Sequence, residues 1–274
     1  MGFHYAICNE TFEGWDHARV CRCVADLGYQ GLEIAPFTLA AQVTDINSQR
    51  RHELRRQAEE CGLTIVGLHW LLAKTEGLQL TSAEEEVRRR TSAYLVALAR
   101  FCGDLGGSVL VFGSPAQRRI PAGATRQQAE DYALDTFRQA ASGIAATGVK
   151  LCLEPLSSPE ADFINTAAEA VGLLDRLQHP SFCLHLDVKA MVTDAPAPNL
   201  IRRYASRLGH FHANDANRRG PGFGDTDFVP IFQVLKQVGY AGWVSVEVFD
   251  YKPDPETIGR ESLRYMRDCE KKCE

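Results

Sequence analysis

The fold of this chain is decided by residues 181–219, SFCLHLDVKAMVTDAPAPNLIRRYASRLGHFHANDANRR. The stretch contains two short apolar runs of the kind that form buried strands. Each run ends on a residue that can bind a metal ion, Asp187 in the first and His212 in the second. Because an apolar run ends in such a residue twice, the stretch predicts two strands whose carboxyl ends present polar side chains at the same edge of a sheet.

The same pattern occurs on either side of this stretch. Upstream, VKLCLEP (149–155) places Glu154 at the end of an apolar run, and downstream GWVSVEVFD (242–250) places Glu247 in the same position. Four candidate metal ligands therefore follow four successive predicted strands. Such an arrangement is expected where a barrel gathers a metal site at one rim.

Short apolar runs alternate with amphipathic segments along the whole chain. The runs that qualify as strands are FHYAIC, GLEIAPF, LTIVGLHWLL, SVLVFG, VKLCLEP, FCLHLD, LGHFHAND and WVSVEV. Apolar strands alternating with helices are typical of a parallel sheet covered by helices, and eight such units in 274 residues predict a closed (β/α)8 TIM barrel. No change in composition marks a linker, so residues 1–274 are expected to form one domain.

Three threonines followed three residues later by Glu or Gln predict where helices begin. In this capping pattern the hydroxyl and the longer side chain each satisfy a backbone donor that the helix leaves free. The pairs are Thr81 with Glu84, Thr125 with Gln128, and Thr166 with Glu169.

The composition argues against several classes of function. The chain is 45% hydrophobic, which supports a large core, and its formal net charge of −5 gives no overall basic field for nucleic acid or an anionic membrane. No apolar run approaches the roughly 18 residues of a membrane span. A neutral or mildly charged small molecule is therefore the expected ligand.

The cysteine pattern points to a reducing compartment. There are nine cysteines, an odd number, with no CxxC pair or regular framework, so reduced thiols and a cytoplasmic location are expected. The first residues, MGFHYAICNETF, lack the basic start and long apolar stretch of a signal peptide.

The four candidate ligands carry more negative charge than they can balance among themselves. A single acid at a strand end is usually an ion-pair or capping partner, but three carboxylates facing inward with one imidazole would repel each other. A divalent cation resolves this conflict. Three oxygen ligands and one nitrogen, without a thiolate, suit Mn²⁺ or Mg²⁺, with Co²⁺ and Zn²⁺ as alternatives.

Several of these segments resemble the sugar phosphate isomerase/epimerase family of xylose-isomerase-like TIM barrels, which includes the D-tagatose 3-epimerase-type ketose epimerases. The similarity covers essentially the whole chain and is strongest over residues 151–250. The segments that carry it are LEPLSSPEADFINT, HLDVKAM, HFHANDANRRGPGFGDTDF and VSVEVFD, with GLEIAPF and VGLHWLL matching earlier strands.

This resemblance implies a role for each matching residue. One divalent metal, commonly Mn²⁺, would be bound by Glu154, Asp187, His212 and Glu247. Glu154 and Glu247 would also be the catalytic acid/base pair. Contacts to a carbohydrate substrate would come from Arg218 and Glu160, and the resemblance leaves a homo-oligomer, a dimer or tetramer, open.

The chain departs from the epimerases three residues after the strand-six aspartate, where Ala190 replaces their histidine. Lys189 is the nearest inward candidate to bind the substrate group that the histidine would bind. Further substrate-binding candidates are His69, Glu33 and Asn214. His69 shares a predicted strand face with Ile65 and Gly67, Glu33 lies at a strand end, and Asn214 shares a strand face with His212.

Two basic segments are interpreted as loops. RRGPGFGD (218–225) is rich in glycine but lacks the phosphate-loop pattern, so it is expected to border the site. The cluster Gln117, Arg118 and Arg119 is expected to be a solvated loop. Phosphate binding remains an alternative for both segments.

A metal at the rim could bind a carbonyl oxygen and the adjacent hydroxyl of a ketose and so stabilise an enediolate. Return of the proton to the opposite face gives epimerisation, and return to the neighbouring carbon gives aldose–ketose isomerisation. A lyase, dehydratase or hydrolase acting on an oxidised sugar stays an alternative. An abasic-site endonuclease, which needs a basic DNA face, and a non-catalytic carbohydrate-binding barrel are less favoured.

Overall fold

A computed structural model describes residues 2–273, and within them eight parallel strands close into a barrel in the order of the sequence. The predicted TIM barrel is therefore confirmed. The strands are β1 (His4–Cys8), β2 (Gly31–Ile34), β3 (Thr64–Leu68), β4 (Val109–Phe112), β5 (Lys150–Leu153), β6 (Phe182–Asp187), β7 (Leu208–Ala213) and β8 (Trp243–Val246).

Helices cover the outside of this barrel and connect each strand to the next. In the described part of the chain they are α1 (His17–Leu27), α2 (Ser48–Glu60), α3 (Glu85–Asp104), α4 (Arg126–Ala145), α5 (Ala167–Leu177), α6 (Val188–Met191), α7 (Ala197–Tyr204), α8 (Val229–Gln237) and α9 (Pro255–Lys271). Across residues 2–273, no helix is both long enough and apolar enough to cross a membrane.

Two of the three predicted helix starts are correct. Thr125 caps α4 in a complete capping box with Gln128, and the Thr166 side chain accepts the backbone N–H of Glu169 at the start of α5. The prediction at Thr81 is wrong, because α3 begins only at Glu85. The Thr81 hydroxyl instead donates to the carbonyl of Arg119 at 2.5 Å, which ties the loop after β3 to the loop after β4.

Buried phenylalanines fill the space between the barrel and its helices. The Phe137 ring on α4 lies 5.7 Å from Phe112 of β4 and 5.4 Å from Phe182 of β6, measured between ring centroids. Contacts of this kind between barrel strands and outer helices bury large apolar areas and hold the strands in register. The interior of the barrel can therefore carry polar residues without loss of the fold.

A polar layer lies inside the barrel, just below the rim at the carboxyl ends of the strands. Its members are fully buried and come from neighbouring strands: Cys8, Glu33, His185, His210 and Ser245. The strand register pairs Cys8 with Glu33 and His185 with His210. Polar groups at this depth need partners, so the layer predicts where the chemistry of the molecule is located.

Gly67 of β3 permits a close approach to β4 beside this layer. A Cβ atom built at Gly67 would lie 2.1 Å from the carbonyl oxygen of Val109, its partner in the sheet. Backbone atoms cannot yield as a flexible side chain can, so any side chain at this position would push the two strands apart.

We expect Gly67→Ala to lower the free energy of unfolding by about 1–3 kcal/mol or more, because the added methyl group overpacks the β3–β4 pair. Gly172→Ala is the matched control, because this helical glycine has open space around its Cβ position. That change should raise stability by about 0.5–1 kcal/mol. Chemical denaturation followed by circular dichroism measures both, and equal stabilities for the two variants would contradict the close approach.

Candidate active site and metal centre

Three of the four predicted ligands converge at the carboxyl ends of the last three strands. Asp187 ends β6, His212 is the penultimate residue of β7, and Glu247 directly follows β8. Their ligand atoms lie within 4.8 Å of one another. Glu154, which follows β5, forms a second group of this kind with Asp187 and His185. All four predicted ligands are buried.

Asp187 is held in place from two directions. One carboxylate oxygen, Oδ1, accepts the backbone N–H of Ala190 at 2.9 Å and so caps the short helix α6. The other oxygen, Oδ2, accepts the side-chain amide of Asn214 at 2.6 Å. Asn214 also accepts the backbone N–H of Lys189 at 2.8 Å. The structure therefore places Asn214 behind Asp187, where it orients this ligand, rather than on the wall of the cavity.

His212 is fixed by a carboxylate on each side of its ring. Nδ1 lies 3.1 Å from Oε2 of Glu247, and Nε2 lies 3.1 Å from Oε1 of Glu33. Glu33 also lies 3.0 Å from Nε2 of His210. Glu33 is thus located beneath the site, against two histidines, and not where a substrate would touch it. A carboxylate behind a histidine ligand is the usual way to set the orientation of the imidazole.

A second glutamate–histidine pair adjoins this group. Nε2 of His69 lies 2.7 Å from Oε2 of Glu10, and both side chains are buried. The other ring nitrogen of His69, Nδ1, lies 3.8 Å from Glu33. His69 also lies on the wall of the cavity that contains Glu154 and Glu247.

Trp70 connects the site to the loop after β3. Its indole N–H donates to Oε1 of Glu247 at 2.7 Å, so both carboxylate oxygens of Glu247 have a polar neighbour, Trp70 on one and His212 on the other. The backbone of Trp70 has a φ of 52°, a left-handed conformation that is uncommon outside glycine. Such strain is found where the surrounding structure fixes a side chain for function.

Glu154 and Glu247, which both line the cavity over the site, have pKa values shifted in opposite directions. Burial, and then repulsion by Glu247 and Asp187, raise the pKa of Glu154 to about 8. Burial also acts to raise the pKa of Glu247, but the charge and hydrogen bond of His212 prevail and lower it to about 2. For His212, the charges of Glu33 and Glu247 outweigh burial and raise the pKa well above its usual value.

The donor set fits a divalent cation. Glu154, Asp187 and Glu247 bring three buried carboxylates together, and repulsion by the other two adds to burial, the larger cause, in raising the pKa of Glu154. A divalent cation would remove that repulsion and favour the fully ionised form. Oxygen donors with a single imidazole suit the hard to borderline ions expected from the sequence.

A cavity of about 180 Å³ opens over these ligands. Apolar walls come from Val111, Leu156 and Phe249, which limit the number of polar contacts available to a ligand. The predicted functional residues that line it are His69, Glu154, Glu160, Lys189, Arg218 and Glu247.

Lys189 is the main cation of this cavity. Its ammonium group lies 2.7 Å from Oε1 of Glu160 and 4.5 Å from the centre of the Phe249 ring. Burial disfavours the charged form, but Asp187, Glu154 and Glu160 prevail and raise the pKa of Lys189 above its usual value. The side chain is therefore a fixed positive charge, available to a ligand oxygen beside the position that Ala190 leaves small.

Arg218 belongs to the glycine-rich loop after β7, which borders the site as expected. Its backbone has a φ of 70°, and its carbonyl accepts the backbone N–H groups of Phe249 at 2.9 Å and Asp250 at 3.2 Å. These bonds tie the loop after β7 to the loop after β8. The guanidinium group lies 5.4 Å from the centre of the Phe249 ring, at the cavity wall.

Arg118 was expected in a solvated loop, and this prediction is wrong. The side chain is fully buried, and its guanidinium donates to the carbonyls of Glu154 at 2.6 Å and Phe112 at 2.5 Å. It thereby holds the ends of β4 and β5 together and fixes the backbone that carries Glu154. Burial lowers the pKa of Arg118 to about 10, although nearby Glu154 and Glu160 act to raise it.

His185 is a second residue whose role the sequence did not indicate. It is fully buried, and neither ring nitrogen has a hydrogen-bond partner among residues 2–273. Its ring centroid lies 4.2 Å from that of His212. Burial, and then repulsion by His212 and His210, lower the pKa of His185 far below its usual value, so this imidazole is neutral. Its position two residues before Asp187 was the only signal in the sequence.

Comparison with known proteins adds to this geometry. The family described as xylose isomerase-like TIM barrel matches residues 21–269. A D-psicose 3-epimerase of Ruminiclostridium cellulolyticum is 29% identical over 257 residues, which cover 90% of this chain and 83% of that relative. A probable ketose 3-epimerase of Synechocystis is 25% identical over 284 residues, which cover 97% of this chain and 95% of that relative.

Among solved structures, D-psicose 3-epimerase from Clostridium cellulolyticum H10 superposes with a TM-score of 0.85 and 24% identity, covering 97% of this chain and 99% of that one. This likeness supports the barrel fold. The names of the sequence relatives bear out the prediction of an isomerase or epimerase.

We expect Glu33→Gln to weaken the binding of Mn²⁺ by about 10–100-fold, because it removes the negative charge that orients His212. Glu60→Gln serves as the control, since Glu60 is an exposed residue at the end of α2. Calorimetric titration of each purified variant with MnCl₂ gives the affinities, and circular dichroism checks the fold. Equal Mn²⁺ affinity in wild type and Glu33→Gln would show that Glu33 does not orient a ligand.

Binding of the metal should release protons at pH 7. Because the pKa of Glu154 is about 8 and that of His212 is raised, both groups hold protons before the cation enters. Both must lose those protons to bind it, so about one to two protons should leave per Mn²⁺ ion and affinity should rise from pH 6 to pH 8. Calorimetric titration in buffers of different ionisation enthalpy measures the number. A binding enthalpy independent of the buffer would contradict this ligand set.

Proposed function

The chain belongs to the xylose isomerase-like TIM barrel family, and from this membership and the site we propose that it is a divalent-metal-dependent epimerase or isomerase of a ketose or ketose derivative. Glu154 and Glu247 form its acid/base pair. The cation is held by Glu154, Asp187, His212 and Glu247, and Mn²⁺ is the first candidate, ahead of Mg²⁺, Co²⁺ and Zn²⁺.

One observation carries the proposal: Glu154 and Glu247 line the same small cavity from different strands. Glu154 follows β5 and Glu247 follows β8, with β6 and β7 between them around the rim. Their carboxylates therefore approach a bound sugar from different directions. A reaction that takes a proton from one face of a carbon and returns one to the other face needs this arrangement.

The residues of this chain have different roles in the proposed proton transfer. One glutamate removes the proton from the carbon beside the carbonyl, and the other returns a proton to the opposite face. When bound, the divalent cation supplies a Lewis acid that stabilises the negative charge of the enediolate. Asn214 and Glu33 keep Asp187 and His212 in their orientations, and the indole N–H of Trp70 sets the position of the Glu247 carboxylate.

Substrate oxygens would be bound by the charged groups of the cavity wall. Lys189 takes the place of the histidine that the epimerases carry at the position of Ala190, and its ammonium donates to a hydroxyl or carbonyl oxygen. Glu160 holds this ammonium at 2.7 Å and can also accept from a hydroxyl. Arg218 and His69 complete the polar wall.

Epimerisation is the reaction we favour over isomerisation or elimination, because the relatives that match most of this chain are named for ketose 3-epimerase activity. The replacement of the epimerases' histidine by Ala190, next to Lys189 of the cavity wall, bears on which ketose is bound rather than on the acid/base pair. A lyase or hydrolase of an oxidised sugar would use the same metal group, and no feature of the cavity favours it over epimerisation.

The test is exchange of solvent deuterium into D-psicose, D-tagatose and D-fructose by the Mn²⁺-loaded protein. We expect exchange at a carbon next to the carbonyl in at least one ketose. Glu247→Gln should reduce the rate by about 10²–10⁴-fold, because the amide keeps an oxygen for the cation but cannot take a proton. Glu256→Gln, a change at an exposed residue of α9, is the control. Near-normal exchange in Glu247→Gln would rule out the acid/base pair.

A further inference from the structure

A second and larger cavity adjoins the catalytic one. Its volume is about 800 Å³, against about 180 Å³ for the cavity over the metal ligands. Ligand pockets usually measure about 300–1,000 Å³, so the catalytic cavity alone is small for a whole ligand and the outer one is large enough for an additional group. The outer cavity is formed by the loops after β1, β2, β3 and β8, together with residues of α1 and α2.

Two side-chain arrangements join the cavities. Trp70 lines both, and its indole donates to Glu247 of the catalytic cavity while its ring lies 6.1 Å from Phe37 of the outer one. Glu10 lines the outer cavity and bonds to His69, which lines the catalytic cavity. A ligand that fills the catalytic cavity therefore has an adjacent space into which a substituent can extend.

Aromatic side chains line the boundary between the two cavities. The Phe249, Trp70 and Phe37 rings follow one another at centroid distances of 6.0 and 6.1 Å, from the catalytic cavity to the outer one. Trp15 and Tyr251 add two more aromatic rings to the outer wall. The C–H groups on one face of a pyranose ring are weakly positive, so they pack well on the negative face of an aromatic ring.

The charges of the outer cavity are nearly balanced. The acids are Glu10, Glu13 and Asp16, and the bases are Arg50 and Lys74. Several are already paired: Arg50 bonds to Glu53 at 2.8 Å, and Lys74 lies 4.3 Å from the centre of the Phe37 ring. A phosphate or carboxylate would find no excess of positive charge here. A neutral polyhydroxylated group suits this lining better.

Glu10 is a buried residue of the wall of this cavity. The side chain is 4% exposed, and Oε2 is engaged by His69. The other oxygen, Oε1, has no hydrogen-bond partner among residues 2–273. This oxygen is closed off from the cavity, so polar contacts to a ligand here would come from exposed groups of the lining such as Glu13 and Asp16.

We propose that the outer cavity binds a second, neutral sugar ring that is linked to the ketose in the catalytic cavity. The substrate class of this site is then a glycosylated ketose rather than a free monosaccharide. This inference rests on the proposed function, and it adds to that function an aromatic binding subsite formed by Trp15, Phe37 and Trp70.

The experiment compares solvent-deuterium exchange into two ketose disaccharides, maltulose and isomaltulose, with exchange into D-fructose and D-psicose. Fructose 6-phosphate is included as a charged ketose of similar size to the monosaccharides. With the Mn²⁺-loaded protein, kcat/KM for at least one disaccharide should exceed that for either monosaccharide by about tenfold or more, the change that 1.4 kcal/mol produces. Fructose 6-phosphate should gain no such advantage.

Variants of the outer cavity wall test whether the preference for disaccharides arises in this cavity. Trp15→Ala and Phe37→Ala should each lower the ratio of disaccharide to monosaccharide kcat/KM by about tenfold. Tyr132→Ala is the matched control, because Tyr132 on α4 is a partly buried aromatic residue under an arginine, like Trp15 under Arg19, and it lies outside both cavities. Its ratio should equal that of wild type.

The outcomes separate this inference from the proposed function. Exchange into monosaccharides at the same or a higher rate than into both disaccharides would overturn the second-ring subsite and leave the epimerase proposal intact. Preference for fructose 6-phosphate would overturn it too. If no sugar exchanges, enediolate chemistry fails, and calorimetric titration of the Mn²⁺-loaded protein decides on the subsite. Tighter binding of maltulose than of D-fructose, with this difference in affinity lost in Trp15→Ala, would support the second-ring subsite. Equal affinities for the two sugars would overturn it.

Discussion

The structure depends on one constraint, which is the burial of carboxylates inside a closed parallel barrel. Glu33, Asp187, Glu247 and Glu154 are each removed from water, and each is therefore stable only with a defined partner. Glu33 meets this need with two imidazoles, of His210 and His212. The same contacts fix the ring of His212, so the partners that make the burial of Glu33 possible also hold a candidate metal ligand rigidly in place.

The remaining carboxylates are satisfied at the rim by groups from the loops. Asn214 and the N-terminus of α6 bind Asp187, and the Trp70 indole binds Glu247. Arg118 supports the backbone of Glu154 from below. None of these groups neutralises the three rim carboxylates as a set. At neutral pH, protons on Glu154 and His212 relieve the repulsion among these groups, and a divalent cation would take the place of those protons.

Periodic and local patterns in the sequence were enough to predict the barrel, because eight apolar strands between helices leave few other arrangements. They also placed the four candidate ligands at the barrel rim, since each of these residues stands at the end of an apolar strand. Side chains that act across several elements were not predictable. Glu33 and Asn214 occur at strand ends like true cavity residues, but the tertiary packing turns them onto histidine and aspartate neighbours. Arg118 follows a loop pattern, and only the close approach of β4 and β5 buries it. At Thr81 the capping pattern was present, but the hydroxyl bonds to another loop instead.

Trp70 has a consequence for how this enzyme can change over evolution. The same indole sets the Glu247 carboxylate by its N–H and separates the catalytic cavity from the outer one by its ring. A mutation that widens the passage at this point would also release the carboxylate on the other side. New substrate ranges are therefore more accessible through Phe37, Trp15 or Tyr251, which border only the outer cavity. Within this lineage, diversification should leave the tryptophan in place and accumulate around it.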